Sequence, residues 1–203
     1  EEEAVLIAIL LHDIGHGPFS HALEHSIVHG INHEHISVMI MNKLNDEFDG
    51  KLSLAIQIFQ NQYSKPFLHQ LISSQLDVDR LDYLKRDSFY SGVSEGIINS
   101  DRIISMLNVS GGELVVDAKA IYSIEKFIIA RRLMYWQVYL HKAVISAEFT
   151  LVEVLKRAKT LVQEGTHLFY TSALGQFLEN NHNLEDFNTN PELLDLFCQL
   201  DDF

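Results

Sequence analysis

The chain has 203 residues, 47% of them hydrophobic and 21% charged, a balance that builds one domain or two small ones and excludes wholesale disorder. Its 28 acidic against 15 basic side chains leave a net charge of −13, which argues against nonspecific duplex binding but permits a small basic pocket around one nucleotide. One cysteine, Cys198, excludes an internal disulfide framework and a cysteine-based zinc site.

In chain order, the apolar run Ala4–Leu11 falls far short of the roughly 20 residues that span a bilayer. It follows Glu1–Glu2–Glu3 rather than the basic start of a signal peptide, so the chain reads as soluble and cytoplasmic, with no membrane partner. Both ends look cut, and a fragment of a longer protein is expected. Apolar spacing places helices at about 3–13, 18–28, 33–45, 51–63, 67–89, 97–107, 148–163, 171–180 and 191–199. Between Asp117 and Glu164 there is neither Gly nor Pro, so that stretch reads as one or two long helices, with Gly165 as a stop. Ser110–Gly111–Gly112 between short β-branched runs predicts a hairpin near 107–116. The fold class is all-α with one small β-hairpin.

Seven of the eleven histidines lie between His12 and His35. A His-rich surface helix would show the same count, but the detailed pattern points to chemistry. His12 and Asp13 end a wholly apolar helix, where an ionisable pair is costly to bury unless a metal compensates. Imidazole with carboxylate suits Zn²⁺, Mn²⁺ or Fe²⁺. Gly15 and Gly17 free the backbone to turn, and Pro18 suits the first position of a following helix.

Further along, Asp79, Tyr83 and Asp87 fall at i, i+4 and i+8 on one helical stripe flanked by Arg80 and Arg86. A metal-bound phosphate ester carrying a sugar needs such a stripe, although a solvated charged face has the same period. Arg131, Tyr135, Tyr139 and Lys142 share a further face on which guanidinium can meet phosphate and rings can stack on base or sugar. Closely spaced aromatics are equally at home in a plain core.

Together the strings His12–Asp13–Ile14–Gly15–His16–Gly17–Pro18–Phe19–Ser20–His21 and Asp77–Val78–Asp79–Arg80–Leu81–Asp82–Tyr83 resemble the HD-domain superfamily of metal-dependent phosphohydrolases. They look most like its deoxynucleoside triphosphate triphosphohydrolases. The resemblance covers most of residues 4–145 and implies an HD helical core over 1–165, followed by a helical extension over 166–203. It implies that His12, Asp13 and Asp79 bind a divalent metal (Mg, Mn, Fe, Zn or Ni), with a further ligand His expected before residue 1. His33, paired with Glu24 where the family often has Asp, matches a catalytic histidine. His16 and His21 match histidines lining the α-phosphate, and His21 or His33 would protonate the departing 5′-oxygen. Arg80 and Arg131 match phosphate-binding positions, Tyr83 and Asp87 the deoxyribose contacts, and Tyr139 and His141 the sugar- and base-proximal pair.

The implied reaction is hydrolysis of a dNTP to deoxynucleoside and tripolyphosphate by a homo-oligomer, with a nucleotide activator as a further partner. Two other readings stand beside it. One is another HD phosphohydrolase, a nucleotidase or phosphodiesterase, which need not carry Arg80, Tyr83 and Asp87 together. The other is a catalytically silent HD module that senses nucleotides, which has no need to keep His12, Asp13, Asp79 and His33.

Overall fold

A computed structural model describes residues 1–20, 23 and 30–201, and its described residues are helical apart from one hairpin, as the periodicity requires. The chain divides into two units that interleave along the sequence: Glu1–Leu10 with Lys51–Ile145, and Leu11–Gly50 with Ser146–Phe203.

In the first unit, α1 (Glu2–Leu11) buries Ala4 and Ala8, one turn apart. Helices α3 (Ser53–Phe59) and α4 (Pro66–Gln70) follow, then α5 (Val78–Ser91), α6 (Ser100–Ser105), strands β1 (Leu107–Ser110) and β2 (Glu113–Val116), and α7 (Ile121–Met134). Its central cluster joins Leu81 and Leu84 of α5, Ile98, Ile103 of α6, and Phe127, Ala130 and Met134 of α7. The strands pair antiparallel with Leu107 opposite Val116 and Ser110 opposite Glu113. Gly111 and Gly112 both take positive φ (63° and 87°), the backbone that a two-residue turn matched to strand twist demands.

The second unit contains α2 (His33–Glu47), most of α8 (Lys142–Gln163), α9 (Ser172–Glu179), α10 (Leu184–Thr189) and α11 (Pro191–Phe197). Its core packs Ile31 and Ile36 against Phe177, Leu178, Phe187, Leu193, Leu194 and Phe197, with Leu155, Ala158 and Val162 of α8 alongside. Phe177, Phe187 and Phe197 meet ring to ring, all three centroid distances being 6.2–6.3 Å. Helix α8 stops where Gly165 turns left-handed (φ 87°) and Thr166 N–H reaches back to Leu161 O at 2.9 Å, the stop that Gly165 predicts.

Several expected helices are shorter than their apolar spacing. The expected helix 67–89 breaks in two because the Asp77 carboxylate accepts from Ser74 N (3.0 Å) and Arg80 N (2.7 Å), which starts a new helix at Val78. The expected helix 51–63 ends at Phe59, past which Asn61 takes positive φ. The expected 97–107 contracts to α6 because Asn99 caps it and β1 begins at Leu107. No helix begins at Pro18, since Phe19 and Ser20 take φ of 57° and 52°; the remainder of that expectation, Leu23 apart, lies outside the described residues. The apolar spacing predicts no helix at α10, although Asn183 and Asp186 form a capping box that marks its start.

Candidate functional site

In the second unit, the chain leaves α1 and turns tightly, with Ile14 N–H bonded to Leu11 O and His16 N–H to Asp13 O. Ser37 of α2, fully buried, holds this turn at two points: its Oγ accepts from Gly15 N and donates to His12 O, both at 2.9 Å. Gly15 is required by this close approach, because a Cβ there would stand 2.1 Å from His33 O and 2.3 Å from Ser37 N.

The clamp brings four of the expected site residues together. His12 Nε2 lies 3.3 Å from Asp13 Oδ2, and His16 Nε2 lies 3.8 Å from Asp13 Oδ1. The His16 and His33 rings stack at 3.9 Å, 15° from parallel, and His16 Nδ1 is 3.3 Å from Ser20 Oγ. Asp13, His16 and His33 each present one ligand atom, all within 4.8 Å of one another. One carboxylate and two imidazoles at that spacing fit a borderline divalent cation. His21 and Glu24 lie outside the described residues.

In the first unit, α5 and the end of α7 build a second constellation. Asp79 stands half-buried in the first turn of α5, with Tyr83 and Asp87 further along the helix. Tyr139 Oη donates to Asp87 Oδ2 at 2.7 Å. The Tyr83 and Tyr135 rings both meet Tyr139 edge-on, at 5.9 and 5.2 Å. Arg131 lies over Tyr135, 5.7 Å from its centroid, and bonds Gln75 Oε1 at 3.1 Å. Arg80 Nε donates to Ser74 O (2.7 Å) and Asp77 Oδ2 (3.0 Å).

At these rings α7 does not continue as a regular α-helix. Residues Tyr135–Tyr139 form a π turn closed by Leu140 N–H on Tyr135 O at 2.7 Å. The expected single face through Lys142 is therefore broken, since the extra residue shifts the register and Lys142 opens α8. His141 is not drawn into the tyrosine cluster; it is exposed, and its Nδ1 accepts from Ala143 N at 3.3 Å. Arg86 pairs with Asp82 rather than with the stripe.

Burial, the Asp87 carboxylate and the neighbouring phenols push the Tyr139 hydroxyl well above its ordinary range. Burial likewise raises Tyr83. At Arg80, burial opposes the charge but Asp77 and Tyr83 outweigh it, so the guanidinium holds its proton more tightly than usual.

Three contributors have no role in the sequence reading. Asp77 stands in a cap pattern three residues before Arg80, which is a legible signal. Ser37 and Gln75 carry no sequence signal, because their partners lie 22 and 56 residues away.

Residues 1–87 match the HD domain model and residues 98–165 the HD associated region. The chain belongs to the HD-domain phosphohydrolase superfamily. The HD chain is 60% identical to a solved phosphohydrolase from Bacteroides thetaiotaomicron VPI-5482, with a TM-score of 0.94 over 98% of this chain and 50% of that one. It is 36% identical over 200 residues to the uncharacterized protein YwfO of Bacillus subtilis, across 92% of this chain and 45% of the relative. A deoxynucleoside triphosphate triphosphohydrolase SAMHD1 homolog of Dictyostelium discoideum is 30% identical over 175 residues, across 78% of this chain and 34% of its own length. The HD chain thus spans about half the length of the solved relative and of YwfO, and a third of the amoebal one. No helix among its described residues is long and apolar enough to cross a membrane.

Proposed function

We propose that this HD protein is a metal-dependent phosphohydrolase whose substrate is a deoxynucleoside triphosphate, cleaved to deoxynucleoside and tripolyphosphate. The observation that carries the reading is the Tyr139–Asp87 hydrogen bond set among Tyr83, Tyr135 and Arg131. The Asp87 carboxylate and the phenol oxygen of Tyr139, whose O–H is given to Asp87, offer acceptors to the O–H of a sugar hydroxyl, rings flank them, and a guanidinium stands nearby for phosphate. The relation to a relative named as a triphosphohydrolase supports it.

His12, Asp13 and Asp79 are the proposed metal ligands; His12 Nε2 and Asp13 Oδ2, 3.3 Å apart at the Ser37-clamped turn, are the imidazole and carboxylate donors that suit such an ion. A bound divalent metal supplies charge neutralisation at the phosphoryl oxygens and a more acidic water. Arg80 and Arg131 neutralise the remaining phosphate charge. His16 and His21 line the phosphate, and His33, with Glu24, or His21 supplies the proton to the departing 5′-oxygen, since imidazole titrates near working pH. Tyr83 bars ribose by standing where a 2′-hydroxyl would fall, Tyr139 packs beside the sugar, and His141 serves the base side.

The test incubates the full-length protein with each of the four dNTPs and Mg²⁺ or Mn²⁺, singly and mixed, and identifies the product by ³¹P NMR. Tripolyphosphate, absent with Asp79→Ala, is the expected result. Turnover only in mixtures adds an activator nucleotide. Orthophosphate or pyrophosphate moves the protein to another branch of the superfamily, and no turnover with any metal overturns the enzymatic reading. Loss of deoxyribose selectivity in Tyr83→Ala tests the steric role, which unchanged selectivity overturns.

A further inference from the structure

The segment joining α4 to α5 touches both arginines assigned to phosphate. From this one segment, Ser74 O and Asp77 Oδ2 take the Nε–H of Arg80, and Gln75 Oε1 takes an Nη1–H of Arg131. Arg80 belongs to α5 and Arg131 to α7. A guanidinium carries five donors in one plane. Committing Nε–H to two acceptors fixes that plane at its stem, while the other four donors lie on the two Nη groups. Asp77 is only 3% exposed, so its charge is held where Arg80 is its natural counter-ion. Gln75 is exposed, and its Oε1 accepts from Arg131 at 3.1 Å.

We propose that residues 73–77 form a positioning element that orients Arg80 and Arg131 toward the phosphates of one polyphosphate ligand. Gln75 and Asp77 are its positioning residues, acting through the two arginines without touching the ligand. The inference rests on the assignment of both arginines to phosphate. It adds a reason for arginine at position 80: an ammonium has no plane to fix and no stem donor separate from its head.

The test titrates inorganic tripolyphosphate into the full-length protein by calorimetry. Gln75→Ala is expected to weaken binding about fivefold, the scale of one hydrogen bond, without moving the thermal midpoint. Asp77→Asn keeps a good helix cap and is expected to weaken binding about tenfold through loss of the charged contact. Each effect should vanish in the matching background, Gln75→Ala in Arg131→Ala and Asp77→Asn in Arg80→Ala, because a positioning residue has nothing left to position. Losses that persist in those backgrounds overturn the proposal, as does affinity that falls with Arg80→Ala and Arg131→Ala but ignores Gln75→Ala and Asp77→Asn. Affinity indifferent to both arginine variants overturns the phosphate assignment itself, and this inference with it.

Discussion

The two constellations are held in opposite ways. The turn carrying His12, Asp13 and His16 is held through its backbone, by Ser37 Oγ and by a packing so close that only glycine fits at position 15. The face carrying Tyr83, Asp87, Arg131 and Tyr139 is held side chain to side chain, through one phenol–carboxylate bond, ring edges and guanidinium contacts. Adjacent donor side chains on one tight turn could reach a common ion only if the main chain itself is placed, and main-chain placement tolerates little. A face built from long side chains spreads its cohesion over many weak contacts, and each can be lost singly.

The sharpest break in that contrast is Gly15→Ala. Its Cβ meets backbone rather than a flexible side chain, so about 3 kcal/mol or more of stability should be lost, measured by denaturant unfolding of the full-length protein. A loss under about 1 kcal/mol would show that the clamp yields. Metal removal comes next. If the turn holds an ion, chelation should lower the melting temperature of wild type by the equivalent of about 2.7 kcal/mol at a metal concentration near 100 times Kd. Asp13→Ala should show little further response, and an identical response in both would place the ion elsewhere.

Ser37→Ala removes two hydrogen bonds at a fully buried site and should cost about 2 kcal/mol, with reduced metal content by elemental analysis. Tyr139→Phe removes one hydrogen bond and should cost only about 1 kcal/mol, leaving metal content unchanged. Were the two variants equally damaging, the contrast between backbone and side-chain support would fail.

The smallest effect is in pH. Folding raises the pKa of Tyr139 and of Tyr83, so above about pH 10 the unfolded chain loses phenolic protons that the folded chain keeps. The folded state then binds more protons, and stability falls as pH rises through that range. In Tyr139→Phe the decline should be shallower, as read from unfolding free energies between pH 9 and pH 11, a window set by the ordinary tyrosine value of about 10.

Much of the helical design is legible in the sequence. Gly111–Gly112 marked the hairpin and Gly165 the end of α8, because positive φ is a local demand with a local residue signature. The stripe Asp79–Tyr83–Asp87 was legible because all three share α5, and His12–Asp13 stood out against its apolar run. The division of 67–89 was hidden because Leu68, Ile72 and Leu76 continue the apolar period while Asp77 turns the backbone. Helix α10 is six residues long, too short for periodicity to reveal, and only its capping box betrays it. The π turn was invisible since Tyr135–Tyr139 contains no Gly or Pro to announce a change of register.

By itself the sequence determined which residue types were available and which of them shared a helix, since spacing along one helix is geometry internal to the chain. It also carried the HD pattern, a short string whose chemistry is local. Only the tertiary structure decided that Ser37 clamps the turn 22 residues away, that Gln75 meets Arg131 across 56, and that Tyr139 reaches Asp87 across 52. Such pairs depend on how helices pack, and packing is selected by the summed burial of whole faces rather than by any residue's neighbours in sequence.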